Sequence, residues 1–156
     1  MDSEYCTTIE YKSFDTTVKV DFINTPKPNF CQQKNLDDFR IKQNDLQNDL
    51  LANIFKYYKK SYDAYREGWV YGSELSGRQK SETELEKYLP IPTTPEKLKE
   101  YITPSTIYIP GIDKCEDGLF GITFDCTWDM QSSLGVLIKK WKVAEVSTVD
   151  ISFIYF

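Results

Sequence analysis

Apolar and polar residues alternate at both ends of the chain, and this pattern predicts strands there. Residues 7–11 and 14–23 have the two-residue period of half-buried strands, and the polar pair Lys12-Ser13 between them predicts a hairpin. In the C-terminal half, further strands are predicted over 106–109, 119–128, 134–143 and 150–156.

Between these strands, apolar residues recur at steps of three and four, which predicts one long helix over residues 36–66. Asn35 is the predicted N-cap of this helix and Gly68 is its predicted stop. Residues 69–80 are predicted to form a loop.

Two short helices should follow. Ser81 has the capping-box spacing for a helix to Tyr88, and Thr94-Pro95 should open another that Pro104 closes. We therefore expect one α+β domain over residues 1–156, with a mainly antiparallel sheet, one long helix and two short helices. Its parts are N-terminal strands over 7–23, a helical region over 35–102 and C-terminal strands over 106–156.

The charge balance narrows the class of partner. The chain has 156 residues, a net charge of −5 and an isoelectric point near 4.8. Such a chain repels the phosphates of nucleic acid and an anionic membrane surface, and it suits a basic protein partner. The acidic N-terminus lacks the pattern of an export signal, so we expect a cytoplasmic protein.

The four cysteines form no Cys-x-x-Cys pair. We expect free thiols in a reducing cytosol, with Cys126 behaving as a small buried hydrophobe.

The chain contains no histidine. Ser-His-Asp and Cys-His catalysis are therefore excluded, as are histidine-containing zinc sites, and carboxylate, Lys, Tyr or Cys chemistry remains. We expect neither a cofactor nor catalysis.

Two acidic segments have carboxylates that could hold a metal ion. The segment from Asp113 to Gly118 resembles the start of a calcium loop, but Cys115 and Phe124 stand where ligands are required. Asp125 and Asp129 could serve as paired carboxylates for acid–base work or a divalent ion. The favoured interpretation places Asp125 on the solvent face and Asp129 in a turn, so no metal site is predicted.

The end of the long helix is rich in aromatic residues, which can either pack in the core or anchor a partner. The candidate anchors are Tyr58, Tyr62, Tyr65 and Trp69, because so many rings cannot all occupy one narrow stripe. Acids that could form a rim around such an anchor cluster in one loop and are Asp113, Glu116 and Asp117.

The segment 126–136 reads Cys-Thr-Trp-Asp-Met-Gln-Ser-Ser-Leu-Gly-Val. It resembles the Cys-x-Trp-Asp-x-Glu-His-Gly-Leu-Gly-Val signature of an uncharacterised family of small bacterial domains, which ends in a strand beginning at a residue equivalent to Asp150. This chain has Gln131-Ser132-Ser133 in place of Glu-His-Gly. The resemblance implies structural roles for Cys126, Trp128, Asp129, Gly135 and Asp150.

Families of this style resemble immunity proteins of bacterial toxins, which are acidic and non-enzymatic. The expected function is therefore a non-catalytic protein-binding module, an immunity or inhibitor protein against a toxin. The alternatives are a small-ligand-binding or accessory domain and, less favoured, a carboxylate-based metal-dependent enzyme.

Overall fold

The computed structural model describes residues 5–75, 77, 81–111 and 113–156. The acidic N-terminal segment 1–4 and part of the predicted loop, residues 76 and 78–80, lie outside the described residues. Within the described part, no helix is both long and apolar enough to cross a membrane.

Within these described residues, six strands form one sheet in chain order, and three helices accompany it. The strands are β1 (Tyr5–Tyr11), β2 (Thr16–Phe22), β3 (Ile102–Ile109), β4 (Phe120–Cys126), β5 (Asp129–Lys139) and β6 (Lys142–Thr148). The helices are α1 (Phe30–Leu75), α2 (Glu82–Tyr88) and α3 (Pro95–Leu98), and short 3-10 turns cover Lys12–Phe14, Lys99–Tyr101 and Val149–Ser152.

The α+β class is confirmed, with one addition to the predicted sheet. Four of the neighbouring strand pairs are antiparallel, whereas β2 and β3 run parallel. The helical region is the long crossover that a parallel pair requires.

Helix α1 extends beyond both predicted ends. Asn29, not Asn35, is its N-cap: the Asn29 side chain accepts the Gln32 N–H at 2.8 Å, and the Gln32 side chain accepts the Asn29 N–H at 3.0 Å. This reciprocal pair is a capping box. Gly68 does not end the helix, because α1 continues to Leu75. The predicted caps Ser81 and Thr94 of the short helices are confirmed.

Three predicted features of the C-terminal half are wrong. The segment 134–143 is not one strand, because Lys140 and Trp141 adopt positive φ angles of 51° and 62° and turn β5 into β6. Residues 150–156 contain a 3-10 turn instead of a strand. Pro104 lies inside β3, where the β3–β4 register shifts between Pro104 and Thr106, as a bulge allows.

The core lies between α1 and one face of the sheet. Apolar side chains of the inner strands, such as Val20, Ile107, Ile122 and Val136, are buried against apolar side chains of α1 such as Leu50. Helix α1 also contacts β1 and β6, the two edge strands.

The cysteine prediction is half wrong. Cys31 at the start of α1 and Cys115 in the β3–β4 loop form a disulfide across 84 residues. Cys6 and Cys126 are not part of a disulfide, and Cys126 is buried as predicted.

Candidate functional site

A cleft lies where β4 ends and β5 begins, at the segment that carries the resemblance noted above. We call it the β4–β5 cleft. Its volume is about 280 Å³, and it is lined by Tyr88, Glu100, Tyr101, Thr103, Asp125, Cys126, Thr127, Asp129, Ser132 and Ser133. The lining thus combines chain-distant segments: the end of α2, the turn before β3 and the β4–β5 turn.

Three carboxylates line this cleft, and two of them make hydrogen bonds where β4 meets β5. Asp125 is exposed and accepts a hydrogen bond from the Ser133 hydroxyl at 3.1 Å. Asp129 is the first residue of β5 and not part of a turn, and it accepts the Ser132 N–H at 3.1 Å. The third, Glu100, is exposed in the turn before β3. Among the described residues that line the cleft, the charged side chains are all acidic.

Aromatic rings form one wall of the cleft. Tyr88 stacks on Trp69 of α1, with ring centroids 5.4 Å apart and an interplanar angle of 13°. The Trp69 indole donates to the Trp128 carbonyl oxygen at 2.7 Å, which ties the end of α1 to the β4–β5 turn. Trp69, a predicted anchor, therefore supports the cleft wall through Tyr88.

Cys126 forms the floor and also borders a smaller adjoining cavity that Tyr57 and Tyr65 line. Burial raises the pKa of its thiol to about 12. The thiol is therefore protonated at neutral pH, and it serves as an apolar floor rather than as a nucleophile or metal ligand.

The ring of Trp128 is buried behind the cleft, as predicted, with 2% of its surface exposed. It packs against Tyr58 at a centroid distance of 4.5 Å, and the Tyr58 hydroxyl donates to the Pro90 carbonyl oxygen. Tyr58 is itself fully buried, so it is a core residue and its prediction as a partner anchor is wrong. Tyr62 and Tyr65 are half-buried against the same cluster, and burial raises the pKa of Tyr65.

The backbone at Thr148 lies close to Gly135, as the resemblance predicts. A Cβ atom there would lie 2.4 Å from the Thr148 carbonyl oxygen, so a side chain would push the strands apart. Asp150 is exposed in the 3-10 turn, and its carbonyl oxygen accepts the N–H of Phe153, the C-cap of that turn, at 3.1 Å. Asp150 therefore lies in a turn and not at the start of a strand.

The predicted rim acids Asp113, Glu116 and Asp117 are exposed in the β3–β4 loop, at the opposite end of β4 from the cleft. Seven residues of strand separate the two ends, about 20 Å at the usual rise. Asp117 is also paired with Lys34 at 3.4 Å. The structure therefore does not place these acids around the predicted aromatic anchors.

The acids and rings beside the anchors are Tyr88, Glu100 and Tyr101, which sequence reasoning missed. They are separated from Asp125 by 24 to 37 positions, and only the fold brings them to one cleft. Their sequence signal was weak: polar or aromatic residues at the ends of short helices usually face solvent. No group of three or more Cys, Asp or Glu side chains in the described residues is arranged to hold a metal ion.

Comparison with known proteins shows a match to a family model. The family model "Domain of unknown function (DUF6985)" matches residues 2–154. No curated protein and no solved structure matches the chain.

Proposed function

The chain belongs to this family, DUF6985, and we propose that it is a non-catalytic protein-binding module that holds a basic side chain of its partner in the β4–β5 cleft. The observation that carries the proposal is the composition of that cleft. It contains three carboxylates, two tyrosine rings and no basic residue among its described lining.

A lysine or arginine side chain fits these groups in two ways. Its charged end can pair with Glu100 and Asp125, whose carboxylates are exposed. Its aliphatic stem and cationic head can pack on Tyr88 and Tyr101, since aromatic faces attract cations at about 0.5–2 kcal/mol. The hydroxyls of Thr127 and Ser132 offer further acceptors.

Two hydrogen bonds that hold the cleft support a binding role. The Trp69 indole is bonded to the Trp128 carbonyl oxygen behind the cleft wall, and the Asp129 carboxylate is bonded to the Ser132 N–H at the start of β5. A preformed site loses little conformational freedom on binding, which favours affinity.

Within this module class, the proposed role is that of an immunity or inhibitor protein acting on a basic toxin. The net charge of −5 supports a basic partner, because opposite fields accelerate association. Segment 126–136 resembles the signature of a family whose members are similar in size and style to immunity proteins, and this resemblance also supports the proposed role.

Where a gene for a basic toxin adjoins the gene for this chain, co-expression of the two proteins tests the role. We expect the two proteins to co-purify and the chain to protect cells from its neighbour. The double variant Glu100→Gln/Asp125→Asn should lose both properties. The control variant Asp113→Asn/Glu116→Gln, at the far end of β4, should still form a complex that dissociates slowly. Equal behaviour of the two double variants would refute the cleft as the contact.

A small-ligand role is the second candidate, because about 280 Å³ is close to the lower end of small-molecule sites. Its occupant would be a small amine, which the same charges would hold. Binding of a free amine without any protein partner would favour this role.

A further inference from the structure

A second feature of the molecule lies at the opposite end of β4 from the cleft. The segment 113–119, which we call the acidic loop, is joined to the start of α1 by the Cys31–Cys115 disulfide. Both cysteines are half-buried, so the bond is within reach of a reductant at the surface. The loop has three acids, Asp113, Glu116 and Asp117, against one base, Lys114.

Hydrogen bonds independent of the disulfide also hold this loop on α1. The Asn35 side chain donates to the Glu116 carbonyl oxygen at 2.8 Å and accepts the Gly118 N–H at 2.9 Å. The buried side chain of Gln32 donates to the Pro110 carbonyl oxygen at 3.0 Å. Residues on either side of Cys115 would therefore stay close to α1 if the sulfurs separated.

Exposed ion pairs add little to this attachment. The ammonium of Lys34, on α1, lies 2.7 Å from Asp38 and 3.4 Å from Asp117 of the loop. Exposed pairs of this kind contribute about 0–1 kcal/mol. Without the disulfide the loop would therefore be held on α1 mainly by the hydrogen bonds of Asn35 and Gln32.

The loop is also in contact with the β5–β6 turn and with the C-terminal segment. Trp141 in the β5–β6 turn donates its backbone N–H to the Gly118 carbonyl oxygen at 3.3 Å. Lys114 donates to the Tyr155 carbonyl oxygen at 2.9 Å. Tyr155 follows the 3-10 turn Val149–Ser152, which packs closely on Gly121 and Gly135. A loop that becomes more mobile would therefore also lose contacts with the C-terminal segment.

From this arrangement we propose that Cys31 and Cys115 form a reversible redox clamp on the acidic loop. A dithiol reductant, such as a thioredoxin-type protein, transfers two electrons and two protons: the Cys31–Cys115 bond breaks to two thiols, and the reductant becomes a disulfide. The loop then moves more freely on α1. Asn35 and Gln32 keep the two thiols near each other, so that a disulfide oxidant can restore the bond by the reverse exchange.

The remaining thiols do not take part. Cys126 is buried at the other end of β4, and its pKa is raised to about 12 by burial. Cys6 is exposed on β1 and donates to the Asp21 carboxylate at 2.8 Å. A Cys6→Ser background removes it as a competing nucleophile.

Hydrogen–deuterium exchange of the Cys6→Ser protein tests the clamp, with dithiothreitol as reductant and oxidised glutathione as oxidant. We expect amide exchange at Lys114, Cys115 and Leu119 to rise at least tenfold on reduction and to return on reoxidation, while β4 and β5 stay protected. The double variant Cys31→Ser/Cys115→Ser should fold, and its loop amides should exchange rapidly. Dithiothreitol should not change that exchange.

Three results would overturn the clamp. Loop exchange could be the same in both redox states, or reduction could unfold the whole domain, which would make the bond a structural staple. Mass spectrometry of the air-oxidised protein could also show four free thiols in the wild-type chain. These readouts need no partner, so they are independent of the proposed function of the cleft.

Discussion

Gln43 and Asp49 lie six residues apart on α1, yet they hydrogen-bond the two opposite edge strands of the sheet. The Gln43 side chain accepts the Lys12 N–H, just beyond β1, at 2.8 Å and donates to the Glu10 carbonyl oxygen of β1 at 3.2 Å. Asp49 accepts the Val143 N–H of β6 at 2.8 Å. The sheet therefore curls around α1, and the helix provides polar partners where each edge would otherwise be open.

The first prediction concerns this pairing. Replacing Gln43 by Ala leaves two backbone groups beside a buried position without partners, so the free energy of unfolding should fall by about 1–3 kcal/mol. Gln33→Ala is the matched control on the same helix, because its side chain makes only an exposed contact with Asp37. It should cost less than about 0.5 kcal/mol in urea unfolding. Equal costs for the two variants would contradict the role of Gln43 at the edge.

The second prediction concerns Trp128, which is buried between Tyr58 and the cleft. Trp128→Ala should lower the free energy of unfolding by about 3–5 kcal/mol, as the loss of large core aromatics does. Tyr71→Ala serves as the control, since that ring is 63% exposed at the end of α1. If Trp128→Ala keeps the wild-type melting temperature and loses only partner binding, Trp128 is a contact residue.

The strands and helices that could be predicted are those whose signal is local. The alternation around Ile122 and Phe124 marks the face of β4 that packs in the core, although Gly121 and Thr123 on its other face are buried as well. Ser81 caps α2 through its own side chain. The β5–β6 turn was missed because Lys140-Trp141 carries neither Gly nor Asn, although both residues have positive φ.

The candidate site could be predicted only in part, for a different physical reason. Asp125 and Asp129 were identified because they are close in sequence, whereas Glu100 and Tyr88 reach the cleft only through the crossover between β2 and β3. The Cys31–Cys115 bond was missed likewise, because cysteine spacing does not determine pairing.

The third prediction concerns thiol reactivity and pH. Alkylation of the oxidised native protein at pH 8 should label Cys6 and leave Cys126 unmodified, because burial raises the Cys126 pKa from 9.0 to about 12. A raised pKa in the folded state stabilises the fold below about pH 9, and this contribution is lost as the pH rises towards 12. Cys126→Ala should therefore flatten the alkaline loss of stability. Labelling of Cys126 as fast as Cys6 would contradict this assignment.

The fourth prediction concerns metal ions. Cys115, at the third position of the calcium-like segment, is engaged in the disulfide, and Phe124, at the twelfth, is buried in β4. Calorimetry with calcium, magnesium, manganese and zinc should show no binding tighter than about millimolar, or about −4 kcal/mol. Micromolar binding that disappears in Asp125→Asn or Asp129→Asn would show a metal site in the cleft.

The binding of a basic side chain in the β4–β5 cleft is tested most directly by nuclear magnetic resonance titration with N-acetyl-arginine amide. Its matched control is N-acetyl-citrulline amide, which has nearly the same shape and no charge. We expect arginine to shift the backbone signals of Thr127, Ser132 and Ser133, and citrulline to leave them unchanged. Glu100→Gln/Asp125→Asn should abolish the shifts, and Asp113→Asn/Glu116→Gln should retain them. Equal shifts with citrulline, or shifts confined to the acidic loop, would contradict the proposed cleft.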